Sequence, residues 1–151
     1  MTTVILVPQA GEYAVCRLLP TEAVPTWASA AGFSNVTRTA DELSIICAAA
    51  LVPANIHAER DWRLLKFQGP FAFTATGILS AVLAPLAAAK IGILALSTFD
   101  TDYLLVKAAQ YDATLRTLET AGHKVRVGAG APSPRSAPRT RRGRRVSTKR
   151  S

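Results

Sequence analysis

The longest uncharged run of the chain lies between Lys66 and Lys90, where 23 consecutive residues read FQGPFAFTATGILSAVLAPLAAA. A run of this length can span a bilayer if all of it is helical, since a transmembrane helix needs about 20 apolar residues. Gly69-Pro70 breaks the helical pattern near the start. Only residues 78–89 favour a helix, which would be about 18 Å long. The run therefore predicts a strand end, a loop and a short helix, and it argues against a membrane span.

Apolar periodicity around this run predicts six elements in the second half of the chain. The predicted strands are 62–67, 91–99, 103–106 and 124–127, and the predicted helices are 78–89 and one that starts near Tyr111 and ends at Gly122. This βαββαβ order is that of the ferredoxin-like fold, in which two helices cover one face of a four-stranded antiparallel sheet. The first of these helices is apolar nearly all round, so we expect a second protein surface to cover part of it.

The N-terminal part of the chain, 1–61, predicts more strand and less helix. One hairpin is predicted between residues 4–7 and 13–19, and a second between 36–39 and 43–47, with a short helix near Pro25. From the order of elements alone, we interpret this part as a degenerate copy of the second unit. The fold class predicted for the chain is α+β.

The positive charge of the chain is confined to its C-terminal segment, 128–151. The formal net charge is +8, yet residues 1–127 hold ten Lys or Arg and ten Asp or Glu, whereas residues 128–151 hold eight Lys or Arg and no acid. This segment is rich in Gly, Pro and Ser, which predicts a disordered basic tail. Two interpretations stay open: an arm that contacts nucleic acid or an acidic partner, or a solvated extension without a partner.

The cysteines, histidines and serines do not suggest catalysis or metal binding. Cys16 and Cys47 lie in apolar runs, and the N-terminus lacks a signal-peptide pattern, so we expect a cytoplasmic protein with reduced thiols. His57 and His123 have no Cys or His at ligand spacing, and no serine lies in a nucleophile elbow. We predict that the protein is not an enzyme and that it needs no metal or cofactor. His123 follows the helix end at Gly122, where a cation would favour the helix dipole.

Three stretches resemble small bacterial proteins built from tandem ACT domains. They are SNVTRTADELSIIC at 34–47, AERDWRLLKFQGPFAFTATGILSAVLAPLAAA at 58–89 and LSTFDTDYLLVK at 96–107. The same half-unit is similar to that of the cytosolic arginine sensors of the CASTOR family. The resemblance implies an N-terminal ACT-like unit at 1–61, an ACT domain at 62–127, and a non-catalytic sensor that binds an amino acid between ACT units, often as a homodimer. Lys90 departs from the pattern, which has a glycine after the helix.

The start of the helix at 78–89 is one half of the predicted ligand site. Thr76, Gly77 and Ile78 open this helix, and we expect a threonine hydroxyl to cap it. The free N–H groups of a first helical turn suit an α-carboxylate. Because Gly77 has no Cβ, a ligand can approach the backbone closely there.

The second half of the predicted site is the segment that follows the next strand. In the sensors that the chain resembles, the positions of Thr98, Phe99 and Asp102 line the amino-acid pocket. Asp102 would then bind an α-ammonium or a cationic side chain through a charge-assisted hydrogen bond. The alternative is that Asp100 and Asp102 only form a turn and accept hydrogen bonds from backbone N–H groups.

The sequence is compatible with two classes of function. One is a sensor that couples an amino acid to a partner or to its own assembly. The other is a scaffold or interaction protein whose basic tail, 128–151, binds nucleic acid or an acidic partner.

Overall fold

The structure, a computed structural model, describes residues 2–127 of the chain, so the predicted basic tail lies outside the described residues. Within these residues the chain forms eight strands: β1 Ile5–Pro8, β2 Tyr13–Leu18, β3 Ser34–Arg38, β4 Leu43–Ala48, β5 Ala58–Phe67, β6 Ile93–Ser97, β7 Asp102–Lys107 and β8 Lys124–Val125. The two α-helices of the same part of the chain are α1 Ile78–Ala88 and α2 Tyr111–Thr120. Three short 3₁₀ turns lie at Thr26–Ser29, Ala49–Leu51 and Ala108–Gln110.

All eight strands belong to one sheet, with β5 at its centre. β5 pairs antiparallel with β7 on one side and with β1 and β2 on the other. β6 extends the sheet beyond β7, β4 and β3 extend it beyond β2, and β8 lies parallel to β1. From β5 onward the element order is βαββαβ, so the predicted α+β, ferredoxin-like fold is confirmed. None of the helices among residues 2–127 is long and apolar enough to span a membrane.

The predicted hairpin between the first two strands is wrong. β1 and β2 follow one another along the same side of β5, with Leu6 opposite Phe67 and Tyr13 opposite Trp62. Between them the Gln9 N–H donates to the Leu64 carbonyl at 2.9 Å, which keeps the connecting residues close to β5. β5 has ten residues and is long enough to pair with both short strands. The second predicted hairpin is confirmed, because β3 and β4 pair antiparallel.

The boundary predicted between residues 61 and 62 falls inside β5, which begins at Ala58. β1 lies between β5 and β8, so a strand from the first part of the chain completes the sheet of the second part. The division into units 1–61 and 62–127 stays a prediction, and the two units would share this central strand.

Each half of the sheet has its own apolar core. α1 and α2 pack over the first core, in which the buried members are Val4, Leu6, Leu65, Phe67, Val82, Leu86, Ile91, Leu104, Val106 and Leu118. The second core lies on β2 and β4 and is covered in part by Trp27. It contains both cysteines as free, buried thiols. Burial raises the pKa of the Cys16 thiol to about 11 and also raises the pKa of Cys47, so both thiols are poor nucleophiles.

His123 is a structural residue, but not in the way that the sequence suggests. Its ring is 6% exposed, its Nδ1 accepts a hydrogen bond from the Val4 N–H at 3.1 Å, and its Nε2 lies 2.9 Å from the Ala81 carbonyl oxygen. Nδ1 must be unprotonated to accept, and Nε2 must carry a proton to donate, so the imidazole is neutral. The prediction of a cation at the end of α2 is therefore wrong, and His123 instead connects β1 to α1.

α1 ends at a lysine in the left-handed conformation. Lys90 has φ 58°, its N–H donates to the Ala87 carbonyl, and the Ile91 N–H donates to the Leu86 carbonyl, both at 3.0 Å. This pattern normally has glycine at the left-handed position, because a Cβ there costs about 1 kcal/mol or more.

Replacing Lys90 with glycine is expected to stabilise the protein by about 0.5–1 kcal/mol, after the larger chain entropy of unfolded glycine is subtracted. Urea unfolding measures this free energy from the midpoint and slope. Lys90→Ala is the matched control, since it removes the side chain and keeps the Cβ, and its stability should stay close to that of the parent. Equal stabilities of the glycine and alanine variants would contradict the argument.

Candidate functional site

A groove of about 600 Å³ lies between the start of α1 and the β6–β7 turn. Five of the six predicted site residues line it, namely Gly77, Ile78, Thr98, Phe99 and Asp102. The sixth, Thr76, is exposed and does not line the groove. The fold thus brings together two segments that are separated in the sequence by the rest of α1 and by β6, namely the helix start and the turn.

The end of β5 and the connection from β5 to α1 are each joined to the β6–β7 turn by a hydrogen bond. The Phe71 N–H donates to the Asp100 carbonyl at 2.9 Å, and the buried Thr101 hydroxyl donates to the Phe67 carbonyl at 2.7 Å. Gly69 makes this approach possible, because a Cβ at this position would lie only 2.9 Å from the Asp100 carbonyl oxygen. Sequence reasoning missed Gly69 and Thr101 as site-shaping residues, although the Gly-Pro pair was a visible break in the helical pattern.

α1 begins at Gly77 without a side-chain cap. Gly77 is the N-cap residue with φ 77°, and no side chain within residues 2–127 caps the helix, so the predicted threonine cap is wrong. The first N–H of the helical ladder is that of Ala81, which donates to the Gly77 carbonyl at 3.0 Å. The N–H groups of residues 78–80 have no acceptor among the described residues. These three residues line the groove, and free N–H groups of this kind are suited to an anionic group.

The β6–β7 turn is closed by a threonine rather than by an aspartate. The Thr98 N–H and hydroxyl both donate to the Thr101 carbonyl, at 2.8 and 3.0 Å. Neither aspartate carboxylate of the turn accepts a backbone N–H among the described hydrogen bonds. The Oδ1 atom of Asp102 instead accepts a hydrogen bond from the Ser97 hydroxyl, which lies opposite on the neighbouring strand. The second carboxylate oxygen of Asp102 has no hydrogen-bond or ion-pair partner within residues 2–127.

The groove is acidic and carries exposed aromatic rings. Asp100 and Asp102 are its charged lining residues, and neither forms an ion pair with a described residue. Phe73 and Phe99 are 78% and 80% exposed, and their rings pack edge to face with centroids 5.0 Å apart. The rest of the lining is mostly apolar. Such a groove suits a molecule that combines a cationic group with an apolar or planar part.

Comparison with protein families gives two matches along the chain. The sequence profile of the ACT domain matches residues 57–120, and the profile of another family's N-terminal domain matches residues 11–55. None of the proteins with curated functions matches the sequence significantly.

Solved structures extend the similarity to most of the chain. A crystal structure of a protein from Agobacterium tumefaciens is 40% identical, with a TM-score of 0.82, and the match covers 88% of this chain and 99% of that one. A Vibrio cholerae protein of unknown function, described as a possible transport protein, is 17% identical, with a TM-score of 0.65 and coverages of 79% and 90%. The aspartate kinase of Clostridium acetobutylicum is 9% identical, with a TM-score of 0.57 and coverages of 77% and 34%. The last two similarities show the fold alone.

Proposed function

The chain belongs to the family of small ACT-domain proteins, and we propose that it is a non-catalytic sensor or regulatory protein that binds an amino acid in the groove. One observation carries the proposal: the start of α1, which no described side chain caps, and Asp102 line the same groove. The helix start carries a partial positive charge and Asp102 a negative one. An amino acid carries the complementary pair of charges.

Each end of the ligand then has a defined partner. The α-carboxylate accepts hydrogen bonds from the N–H groups at the start of α1, from Gly77 and Ile78 onward. The free oxygen of Asp102 accepts a charge-assisted hydrogen bond from the α-ammonium or from a cationic side chain. The hydroxyl of Ser97 holds Asp102 in place by donating to its other oxygen. The apolar part of the ligand packs against Phe71 and Leu83, which also line the groove.

A ligand in this position would contact two segments that are distant from each other in the sequence. The connection 68–77 and the turn 98–101 meet through the hydrogen bond from the Phe71 N–H to the Asp100 carbonyl and through the packed rings of Phe73 and Phe99. A ligand that bonds to both segments favours the arrangement in which they are close, because it binds that arrangement more tightly. A partner or a second copy that contacts the groove rim would respond to this change.

Isothermal titration calorimetry against the twenty amino acids tests the proposal. We expect a saturable heat for at least one amino acid and a stoichiometry of one ligand per chain. If none of the twenty gives a saturable heat at millimolar concentration, the proposed function is wrong.

We propose further that the protein works as a cytoplasmic homodimer. The third apolar cluster of the sheet has a band of side chains that no helix covers within the described residues: Phe33, Trp62, Leu94, Leu96 and Tyr103, all half-buried. β6 is also an edge strand with apolar residues. A twofold dimer would cover such surfaces. Light scattering at tens of micromolar should give about twice the chain mass of 16.0 kDa, and a strict monomer would contradict this.

A further inference from the structure

The groove combines negatively charged side chains with exposed aromatic rings. Among residues 2–127, its lining contains two carboxylates, Asp100 and Asp102, and no Lys or Arg. Lys66 and Asp100 both line a neighbouring cavity of about 440 Å³. These two residues do not form an ion pair. The exposed pair Phe73 and Phe99 adds two aromatic rings that are packed edge to face. An arginine-rich peptide matches these features, since guanidinium groups pair with carboxylates and stack on aromatic rings.

The chain itself contains such a peptide. Residues 128–151 read GAGAPSPRSAPRTRRGRRVSTKRS, with eight Lys or Arg and no acid, and include the cluster RRGRR at 141–145. This segment holds all of the excess positive charge, because residues 1–127 are balanced at ten basic and ten acidic residues.

The length of the segment is sufficient to reach the groove. Residue 127 follows β8, and the sheet order β8-β1-β5-β7-β6 places the groove four strands away. At about 4.8 Å per strand this is about 20 Å across the sheet. A flexible chain with the length of the stretch from 127 to 141 would span about 20 Å as a coil and up to about 50 Å when extended. The cluster 141–145 can therefore reach the groove of its own chain.

We propose that the segment 128–151 binds in the groove of its own chain, with arginine side chains on the Phe73–Phe99 pair and against Asp100 and Asp102. The part of this inference that concerns regulation rests on the proposed function, since the segment would then compete with the amino acid. An amino acid would have to displace the segment, so the segment sets the concentration at which the sensor responds.

The size of the competition follows from the effective concentration of a tethered peptide. This concentration is on the order of 1 mM for a short flexible connection. If the free peptide binds with a Kd of about 100 μM, deletion of the segment should raise the affinity for the amino acid by about tenfold. The effect should shrink as salt is added, because the contacts are exposed ion pairs.

A labelled peptide of residues 128–151 and the chain 1–127 test the binding directly, without any amino acid. The chain 1–127 retains all the described strands and helices and the residues of both cores, so it is suited to this experiment. Fluorescence anisotropy at low salt should show saturable binding. The double variant Asp100→Asn, Asp102→Asn should weaken the binding by about tenfold, and Phe99→Ala by about threefold. Asp112→Asn, on the exposed face of α2, is the matched control and should leave the affinity unchanged.

Several results would overturn the proposal. One is the absence of peptide binding, and another is equal weakening by Asp112→Asn and the groove variants. A third is a peptide that binds an oligonucleotide but not the chain 1–127, which would assign the segment to nucleic acid. These results are independent of the calorimetric test, so a chain that binds the peptide but no amino acid would reject the proposed function alone.

Discussion

Replacing Asp102 with asparagine is expected to weaken amino-acid binding by about ten- to a hundredfold, equivalent to about 1.5–3 kcal/mol. One carboxylate oxygen accepts from the Ser97 hydroxyl, and the other is available to the positive group of the ligand. Asparagine keeps the shape and can still accept from Ser97. It presents N–H donors to the cation in place of a charged acceptor, so only the contact with the ligand is lost. Calorimetry of both proteins with the same amino acid gives the ratio of affinities.

Glu119→Gln is the charge control for this experiment. Glu119 is exposed on α2 and does not line the groove, so its substitution should leave the affinity unchanged. Ser97→Ala offers a graded variant, because it removes the hydroxyl that holds Asp102 while the carboxylate remains; a loss of about threefold is expected. If the parent, the Asp102 variant and the Glu119 variant bind equally, then the ligand lies elsewhere and Asp102 only accepts the hydrogen bond from Ser97.

The second half of the chain could be predicted from local sequence patterns. The βαββαβ order follows from apolar alternation in the strands and from i, i+4, i+7 spacing in α2, which are properties of neighbouring residues. The C′ glycine of α2 was also visible, and Gly122 has φ 91°. The end of α1 was harder to assign, because Lys90 occupies a left-handed position without being a glycine.

The pairing of the first strands could not be predicted in this way. Two short strands joined by a brief connection that includes Gly11 favour a hairpin, and Gly11 does have a positive φ of 80°. The actual partner of both strands is β5, which follows only after β3 and β4 along the chain. Pairing between strands so far apart in the sequence depends on which strand is long enough to form hydrogen bonds with both β1 and β2. Local sequence patterns do not contain that information.

The candidate site shows the same division between local and distant information. Residues near a helix start or a turn could be proposed from their type, and five of the six line one groove, although their role in binding stays a prediction. Gly69 and Thr101 were missed because their contacts join segments that are distant in the sequence. Gly77 was predicted as a site residue because it has no Cβ, which would let a ligand approach the backbone. In the structure the space around that position is open, and the positive φ is what requires glycine.

Replacing His123 with alanine is expected to destabilise the protein by about 2–4 kcal/mol. The substitution removes the acceptor of the Val4 N–H and the donor to the Ala81 carbonyl. The ring is buried between β1 and α1, so water can replace these contacts only in part. Urea unfolding should show a lower midpoint with little change of slope, which indicates a loss of stability without a change in compactness.

Two conservative substitutions separate the contributions of the two ring nitrogens. In His123→Asn, the amide oxygen lies near the position of Nδ1 and can still accept from the Val4 N–H. In His123→Gln, the amide nitrogen lies near the position of Nε2 and can still donate to the Ala81 carbonyl. Each should therefore recover about half of the stability that alanine loses. His57→Ala is the matched control, because His57 is exposed, and it should change the free energy of unfolding by less than about 0.5 kcal/mol. If His123→Ala were no less stable than His57→Ala, the buried ring would not hold β1 against α1. The apolar core alone would then support the start of α1, which lines the groove.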